Sequence, residues 1–455
     1  MRTPSLCRPL LITLLLALPA LAQYPADNPR QDLYNSYSEF KNDLLALSTI
    51  TDAGDRTAAI DTFWNNLRTY GQVPYAQGDR AAFLYRGSAS DVGWAGDFNG
   101  WRPASGTRIP NTDLWLYERT FAPDSRLDYK VVVNNGSWVL DPANPLQMYS
   151  GFGPNSELRM PAYTYPAEAN RDPAIPRGTI TNNARITSAR LGYLVNVRVY
   201  TPAGYNENQL ANLPTVYVTD GHEYLDDRLG SMSIVLDNLI AQGIIQPVVA
   251  VFIDPRDTNS GSNRRADQYV NNPDFVGFLA DELVPVIDDN FRTNPAAAAR
   301  TIMGTSLGGL VSAYVGALRS DTFGNLGIQS PAFWVWPTIY DWYRDLDLTD
   351  DLKISMTQGT FEGSHGQTMA GILANSGYDY DFQLTNEGHS WGQWRGLIDD
   401  LLIDLVGPPV IPEPTSALPL AAGVAALGSR ILTRGSTPAR NAGHNDQANP
   451  AGSSH

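Results

Sequence analysis

The sequence predicts an α/β domain with a mostly parallel sheet, preceded by a small all-β, immunoglobulin-like sandwich. In residues 177–407, apolar strand-like runs alternate with helical patterns, which implies a parallel sheet covered on both faces. In residues 79–160, short alternating runs are separated by turn residues such as Asn99-Gly100 and Asn135-Gly136, as is typical of antiparallel strands. With 455 residues, 43% of them hydrophobic, the chain is long enough for both domains.

The first 22 residues have the features of a signal peptide. Arg2 and Arg8 precede an apolar run from Leu10 to Leu18, and Ala20-Leu21-Ala22 is the small-x-small pattern found before a cleavage site. We therefore expect an exported protein, in the cell envelope or outside the cell, whose mature chain begins near Gln23. The alternative, an N-terminal membrane anchor, requires about 20 apolar residues, more than this run provides.

Composition excludes several kinds of site and partner. The one cysteine, Cys7, lies inside the predicted signal peptide, so the mature chain would contain no disulfide, thiolate metal site or catalytic thiol. Forty-seven acidic and 32 basic residues give a formal charge of −15, which argues against nucleic acid and anionic lipid as partners. This balance favours a protein that handles neutral or cationic material.

Two segments flank the predicted sandwich. Residues 23–78 carry apolar side chains at spacings that predict two short helices, packed against a neighbouring domain. Residues 161–176 are rich in proline and alanine and predict an interdomain linker.

Within the sandwich, Val92–Trp101 reads VGWAGDFNGW and is followed by Asp141-Pro142-Ala143-Asn144-Pro145. This pattern resembles the early-set module of glycogen-binding and isoamylase N-terminal domains. Exposed aromatic rings stack on sugars in carbohydrate-binding members, so the resemblance implies that Trp94, Trp101 and Trp138 could contact carbohydrate. The alternative is that these tryptophans form the sandwich core and that the module positions the following domain.

The α/β region contains seven strand-like runs, with helical patterns between them, for example at Phe275 to Asn290. The predicted strands are Tyr193 to Tyr200, Thr215 to Val218, Val248 to Ile253, Arg300 to Met303, Gly324 to Ile328, Leu352 to Met356 and Tyr380 to Leu384.

The most informative of these runs leads into a reactive serine. Thr301-Ile302-Met303 is followed by Gly304-Thr305-Ser306-Leu307-Gly308 and then by apolar residues at helical spacing. A strand, a tight turn and a helix around G-x-S-x-G form the nucleophile elbow of α/β-hydrolases, where small residues keep the backbone from clashing. We therefore predict Ser306 as a nucleophile, the alternative being a glycine-rich turn without chemistry.

A nucleophilic serine needs a histidine as its general base and a carboxylate that orients the histidine. In α/β-hydrolases the histidine follows the last strand, which selects His389 over His222 and His365. The acid should follow the preceding strand, where Glu362 lies 27 residues before His389. Asp379 and Asp381 are the alternatives, although they lie at the start of the last strand.

The oxyanion requires two backbone donors. The N–H of Leu307, directly after the nucleophile, is the first. The second should follow an earlier strand, at Gly221 or His222, and the ring of His222 could also face the substrate or serve structure only. For substrate binding we predict aromatic residues of the loops near the site, namely Trp334, Trp336 and Trp391.

At this point the chain resembles a family. The strings LPTVYVTDGHEYLDD, FLADELVPVIDDNFRT, IMGTSLGG, SPAFWVW, QGTFEG and EGHSWGQWR occur in the order typical of the esterase D and enterochelin-esterase group, which includes feruloyl and acetyl-xylan esterases. The resemblance spans residues 178–406. It implies Ser306 as nucleophile, His389 as base and Glu362 as acid, where many members carry aspartate.

The C-terminal region carries a different signal. In residues 411–434, Pro412-Glu413-Pro414, an apolar run from Ala417 to Leu427 and the arginines Arg430 and Arg434 resemble a PEP-CTERM sorting signal. That resemblance implies the envelope sorting machinery as a partner. A polar tail, residues 435–455, follows where the family usually ends, and the alternative is a proline-rich disordered tail.

The sequence therefore predicts an exported serine carboxylic-ester hydrolase that uses no metal or cofactor and acts on feruloyl or acetyl esters of polysaccharide. The enzymatic alternative is a siderophore esterase of the enterochelin type, for whose anionic ferric complex an acidic protein is a poorer host. The alternative of another class is a non-catalytic carbohydrate-binding envelope protein.

Overall fold

The computed structural model describes residues 33–349 and 351–408, which all belong to one unit. The predicted signal peptide, the PEP-CTERM-like signal and the polar tail lie outside the described residues, so these stay predictions. No helix within residues 33–349 and 351–408 is long and apolar enough to cross a membrane.

Two helices open the described chain, α1 (Tyr37–Ala46) and α2 (Ala53–Thr69). Each begins at a capping side chain, because Ser36 accepts a hydrogen bond from the N–H of Glu39 and Asp52 accepts one from the N–H of Asp55. Their apolar sides, including Phe40 and Phe63, pack on the outer face of a four-stranded sheet.

Ten strands follow in two antiparallel sheets that share one apolar core. The four-stranded sheet has the order β1-β2-β6-β5, and the six-stranded sheet has the order β4-β3-β7-β10-β9 with β8 paired to β7. That this sandwich is immunoglobulin-like, and that it binds sugar, stay predictions. The strands are β1 (Tyr75–Gln77), β2 (Arg80–Arg86), β3 (Val92–Gly96), β4 (Ala104–Ser105), β5 (Thr107–Arg108), β6 (Leu114–Thr120), β7 (Arg126–Val133), β8 (Ser137–Val139), β9 (Gln147–Met148) and β10 (Asn155–Arg159).

The structure separates the three tryptophans predicted to contact carbohydrate. Trp94 is fully buried in the sandwich core and stacks on Tyr117 with ring centroids 5.9 Å apart, so the prediction of a sugar contact is wrong for this residue. Trp101 is half-buried, and its Nε1 donates to Asp97. Trp138 is 45% exposed on β8, so the predicted contact stays open there.

A nine-stranded sheet forms the centre of the second half of the chain, in the order β11-β13-β15-β14-β16-β17-β18-β19 with β12 paired to β13. The pairs from β15 through β14 to β19 are parallel, and only the pairs made by β13 are antiparallel. The predicted mostly parallel sheet is thus present. Its strands are β11 (Thr179–Ile180), β12 (Ala184–Thr187), β13 (Leu194–Thr201), β14 (Thr215–Val218), β15 (Val249–Asp254), β16 (Arg300–Thr305), β17 (Asn325–Gln329), β18 (Lys353–Gly359) and β19 (Asp379–Thr385).

Helices cover both faces of this sheet, and each face has its own apolar core. The helices are α3 (Gly221–Tyr224), α4 (Met232–Ala241), α5 (Arg265–Tyr269), α6 (Pro273–Gly277), α7 (Val284–Asn290), α8 (Leu307–Arg319), α9 (Ile339–Asp345), α10 (His365–Ser376), α11 (Trp391–Arg395) and α12 (Ile398–Val406). Short 3₁₀ helices lie at Leu47–Thr49, Asp97–Asn99, Ala167–Ala169, Ala297–Ala299 and Phe333–Val335.

The helix predicted at Phe275 to Asn290 is interrupted. Between α6 and α7 the chain forms a π-helix at Phe278–Leu283, because Pro285 in the first turn of α7 has no N–H to donate to the preceding turn. The last two helices of the described residues, α11 and α12, are separated by Gly396 and Leu397.

Candidate active site

Ser306 lies at the turn between β16 and α8, at the carboxyl edge of the parallel sheet. Its φ of 59° and ψ of −115° place a non-glycine residue in a costly backbone conformation. A Cβ on Gly304 would overlap Thr219 Oγ1, and one on Gly308 would lie 2.5 Å from the same atom. Glycine is therefore needed on both sides of the serine, and this explains the G-x-S-x-G spacing physically.

His389 lies in the loop after β19, and its Nε2 is 3.0 Å from Ser306 Oγ. The imidazole is held between two indole rings, with centroids 4.9 Å from Trp394 and 5.8 Å from Trp334. The ring therefore presents one nitrogen to the serine and the other to the interior.

The second nitrogen, Nδ1 of His389, is hydrogen-bonded to the Glu362 carboxylate, with Oε2 at 2.5 Å. The Glu362 side chain is 4% exposed, and Oε1 accepts hydrogen bonds from the Ser330 hydroxyl at 2.7 Å and from the N–H of Gly359. These donors and the imidazole together hold the Glu362 carboxylate in one orientation. The structure thus brings Ser306, His389 and Glu362 into one hydrogen-bonded chain, whereas Asp379 and Asp381 lie at the opposite end of β19.

Further polar side chains form hydrogen bonds with the Glu362 carboxylate or with its partners. Ser330 Oγ lies 2.7 Å from Glu362 Oε1 and 2.7 Å from the Gln393 side-chain amide, which in turn lies 3.2 Å from Thr385 Oγ1. The Gln393 atom that faces Ser330 is Oε1, an acceptor, and Gln393 Nε2 donates to Thr385 Oγ1. The single hydroxyl proton of Ser330 can therefore be donated to Glu362 Oε1 or to Gln393 Oε1, one at a time. Sequence reasoning missed Ser330 and Gln393, because no motif marks either residue.

The predicted oxyanion donors lie at the ends of two neighbouring strands. Leu307 is the first residue of α8, Gly221 is the first of α3, and the preceding strands β16 and β14 pair in parallel. N–H groups that open a helix have no acceptor within it. A Cβ on Gly221 would lie 2.5 Å from the backbone of Phe252 and Ile253, so only glycine fits there. The oxyanion role of these donors stays a prediction.

His222 follows Gly221 and is neutral at pH 7. Burial lowers the pKa of its imidazole to about 4, although Asp254, 3.5 Å from Nδ1, acts in the opposite direction. Nδ1 has no hydrogen-bond partner among the described residues. The ring is mostly buried, with 21% of the side chain exposed.

The three predicted substrate-binding tryptophans have different positions. Trp334 is 46% exposed and lies beside both His389 and His365, so it borders the site. Trp391 is 1% exposed in the core, and its Nε1 donates to Glu223, so the prediction of direct substrate contact is wrong for it. Trp336 is half-buried and packs on Tyr314 and Trp342 rather than at the triad.

The fold and the arrangement of Ser306, His389 and Glu362 are similar to those of esterase-like α/β-hydrolases, and the chain is similar in sequence to known esterases. Residues 188–405 match the family model described as "Putative esterase". The chain is 30% identical over 151 residues to the endo-1,4-beta-xylanase/feruloyl esterase of Xylanibacter ruminicola, which is 31% of this chain and 20% of that protein. It is 26% identical over 315 residues to the iron(III) enterobactin esterase of Dickeya dadantii, which is 61% of this chain and 68% of that protein.

Among solved structures, the enterobactin esterase of Shigella flexneri in the presence of enterobactin has a TM-score of 0.60 to this chain. Sequence identity is 22%, and the match covers 72% of this chain and 92% of that one. At this identity the likeness shows a shared fold.

Proposed function

We propose that the chain is an exported serine carboxylic-ester hydrolase that acts through an acyl-enzyme on feruloyl or acetyl esters of polysaccharide. The observation that carries the proposal is the continuous hydrogen-bonded chain from Ser306 Oγ through His389 to Glu362. A hydroxyl, an imidazole and a buried carboxylate in this order are the groups that acyl transfer requires.

In the proposed reaction, Ser306 Oγ attacks the ester carbonyl while its proton passes to Nε2 of His389. Glu362 holds the imidazole with Nδ1–H directed toward the carboxylate and stabilises the imidazolium that forms. The N–H groups of Leu307 and of Gly221 or His222 would bind the oxyanion. His389 then returns the proton to the leaving alcohol, and an attack by water, with the same histidine as base, releases the acid.

The surroundings of the site favour a neutral ester with a flat acyl group. Trp334 offers a half-exposed indole face beside His389 on which an aromatic acid can stack. Three arginines of the region after β15 are each engaged by a carboxylate: Arg256 by Asp254, Arg264 by Asp257 and Arg265 by Asp220. Such paired guanidinium groups attract an anionic ligand less than free ones do.

Siderophore hydrolysis is the second candidate, and one observation favours it. The match to the Dickeya dadantii enterobactin esterase spans 315 residues, whereas the esterase family model matches only residues 188–405. The structural match to the Shigella flexneri enterobactin esterase covers 72% of this chain. The likeness therefore extends beyond the hydrolase region. Export to the envelope, and sorting through the C-terminal signal, are further parts of the proposal that depend on residues 1–22 and 411–434.

The function is tested with the full chain and four substrates: p-nitrophenyl acetate, p-nitrophenyl butyrate, methyl ferulate and enterobactin. Hydrolysis by the wild type, lost in both Ser306→Ala and His389→Ala, is the expected result. Ser312→Ala is the matched control, because the hydroxyl of this buried serine of α8 donates to the Gly308 carbonyl and not to a group of the triad. Turnover of methyl ferulate without enterobactin supports the first candidate, and the reverse supports the second. A wild type that is inactive on all four substrates and is not labelled by a serine-directed phosphonate contradicts the proposal.

A further inference from the structure

The loop that carries His389 is hydrogen-bonded to the sandwich mainly through Arg126, at the start of β7. The backbone N–H of Arg126 donates to the Asn386 carbonyl at 3.2 Å, and Nη1 of the Arg126 side chain donates to Ser390 Oγ at 2.8 Å. These two bonds hold both ends of residues 386–390, the segment that contains His389. A third bond, from Asn386 Nδ2 to Asp124 Oδ1 at 2.8 Å, adds to the same connection.

The guanidinium is oriented by the sandwich itself. Its side chain is fully buried, with Nε 2.9 Å from Glu157 Oε1 and Nη2 2.5 Å from Asp128 Oδ1. Both carboxylates lie on sandwich strands, β7 and β10. Because the planar guanidinium is fixed by two charged partners, its remaining nitrogen points to Ser390 in a set direction.

The hydroxyl of Ser390 is used for this bond and not for the helix that it precedes. Serine before the first helical residue usually accepts a hydrogen bond from the helix N–H groups. Ser390 occupies that position before α11, yet its side chain makes no capping bond. The acceptor is therefore available to Arg126.

The contact leaves no room for a side chain at two positions, Gly388 in the loop and Gly392 in α11. A Cβ added to Gly388 would overlap the carboxylate of Asp97, and one added to Gly392 would overlap the guanidinium of Arg126. Asp97 belongs to the GDFNGW string, so part of the motif that resembles a carbohydrate module faces the histidine loop. Close approach of this kind requires glycine at both positions.

The loop that carries the acid has a contact with the sandwich as well. Phe361, next to Glu362, packs on Phe121 of the sandwich core with ring centroids 6.3 Å apart. The Phe361 N–H also donates to the Glu387 carbonyl at 3.2 Å. The acid loop and the histidine loop are thus joined to each other at the place where both meet the sandwich.

We infer that Arg126 is a positioning residue for the reaction, holding segment 386–390 so that His389 meets Ser306 and Glu362. It acts through the loop and does not touch the substrate. The inference rests on the proposed esterase function and deepens it, because it makes the sandwich part of the catalytic apparatus. A displacement of about 1 Å in a catalytic group can cost about 100-fold in rate.

The test compares Ser390→Ala and Arg126→Lys in the full chain, with p-nitrophenyl acetate as a small substrate. We expect kcat to fall about 10-fold in Ser390→Ala and about 100-fold in Arg126→Lys, with KM within about twofold of the wild type. Ser390→Ala removes the acceptor and leaves the buried charges paired, so it remains informative if Arg126→Lys fails to fold.

Tyr129→Phe is the matched control. Tyr129 lies on the same strand as Arg126, is fully buried, and donates to Asp141 at 2.7 Å within the sandwich. Its loss should lower the melting temperature but leave kcat within about twofold. A merely structural role for Arg126 predicts the same behaviour for Ser390→Ala as for Tyr129→Phe, and that result overturns the inference.

Amide hydrogen exchange of the peptide spanning residues 384–395 provides a readout that does not need turnover. It should become faster in Ser390→Ala and stay unchanged in Tyr129→Phe. If the wild type hydrolyses no ester, the proposed function has failed, and the exchange rates still decide whether Arg126 holds the loop. Unchanged exchange in Ser390→Ala contradicts the inference in either case.

Discussion

The two faces of segment 386–390 are built in opposite ways. Toward Ser306, the segment presents a partly exposed imidazole, with 30% of the His389 side chain exposed, on single hydrogen bonds of 3.0 and 2.5 Å. Toward the sandwich it meets the fully buried Arg126 with its two carboxylate partners. The face toward Ser306, the reacting face, must admit substrate and water, so tight packing cannot fix it. The position of the loop is therefore set from the opposite face, which is buried against Arg126 and the sandwich and is called the dry face below.

Two buried glutamates, one on each face, differ in the same way in the hydrogen bonds that their carboxylates make. Glu362 accepts from three donors and lies on the reacting face. Glu387 lies on the dry face, and its Oε2 has no hydrogen-bond partner among the described residues. Burial raises the pKa of Glu387 to about 8, and the Arg126 charge only partly opposes this effect. The loop thus carries a carboxyl group whose environment favours the protonated form.

The largest effect is expected at the reacting face. Glu362→Gln places an amide N–H₂ opposite His389 Nδ1, so the ring must adopt the wrong tautomer, and kcat should fall roughly 10³–10⁴-fold. Asp381→Asn, a change at the alternative acid, should leave kcat within about twofold. Steady-state kinetics on p-nitrophenyl acetate measures kcat for both variants. An equal loss of kcat in the two variants would contradict the assignment of Glu362 as the acid of the triad.

The next effect concerns stability on the dry face. Between about pH 5 and pH 8, folded Glu387 keeps a proton that the unfolded chain has lost, so rising pH favours unfolding. Glu387→Gln removes this proton release. The free energy of unfolding of the wild type should therefore fall more steeply than that of the variant, by about 1.4 kcal/mol per pH unit. Urea titrations across this range measure the difference. The charged groups around Glu387 are Asp97, Arg126, Asp128, Glu157 and, at higher pH, Tyr163.

Glu157→Gln gives the comparison of opposite sign. Burial alone would raise the pKa of Glu157, but Arg126 and Arg159 outweigh burial and lower it to about 2. The charged form therefore stabilises the fold at pH values above the ordinary value for glutamate, and this stability is lost as the pH falls toward 2. The variant should be less stable than the wild type at pH 7, whereas Glu387→Gln should be more stable at pH 8. Parallel pH dependence in both variants would refute the contrast.

A smaller effect is expected at Ser330, whose hydroxyl lies against the Glu362 carboxylate. Ser330→Ala removes one of the donors to Glu362 Oε1, which loosens the carboxylate without removing it. We expect kcat to fall about 10-fold with KM unchanged, equivalent to about 1.4 kcal/mol. Ser355→Ala, at a buried serine of β18, is the control and should retain full activity. Wild-type kcat in Ser330→Ala would show that Gly359 and His389 hold Glu362 sufficiently.

The smallest effect is expected at the border of the site. Trp334→Ala should raise KM for methyl ferulate about 3- to 10-fold and leave KM for p-nitrophenyl acetate unchanged, because only an aromatic acid can stack on the indole. Trp336→Ala, which alters a ring packed on Tyr314 and Trp342, should not discriminate between the two substrates. Equal effects of both variants on both substrates would argue against stacking.

The sequence predicted the parallel sheet and the positions of Ser306, Glu362 and His389, because these depend on local patterns. A strand, a glycine-flanked serine and a helix adjoin in the chain, and the acid and base each follow a strand that apolar spacing identifies. The structure places the three side chains within hydrogen-bonding distance. Their catalytic roles stay a prediction until the variants are measured.

The errors and omissions each have a physical reason. Trp94 and Trp391 are buried, and an aromatic residue in a loop or strand has the same letter whether it faces the core or a ligand. The bond between Arg126 and Ser390 joins residues 264 positions apart, so no local pattern could indicate it. The interruption at Phe278–Leu283 depends on Pro285, whose missing N–H affects the preceding turn and leaves no trace in the apolar spacing.

A double-mutant cycle between Arg126→Lys and Ser390→Ala tests the coupling of the two faces most directly, with kcat/KM on p-nitrophenyl acetate as the readout. If Arg126 acts through the Ser390 hydroxyl, the double variant should be no slower than Arg126→Lys alone, which corresponds to a coupling free energy of about 1–2 kcal/mol. If the two losses add within about 0.5 kcal/mol, the residues act independently, and the sandwich does not hold the histidine loop through this bond.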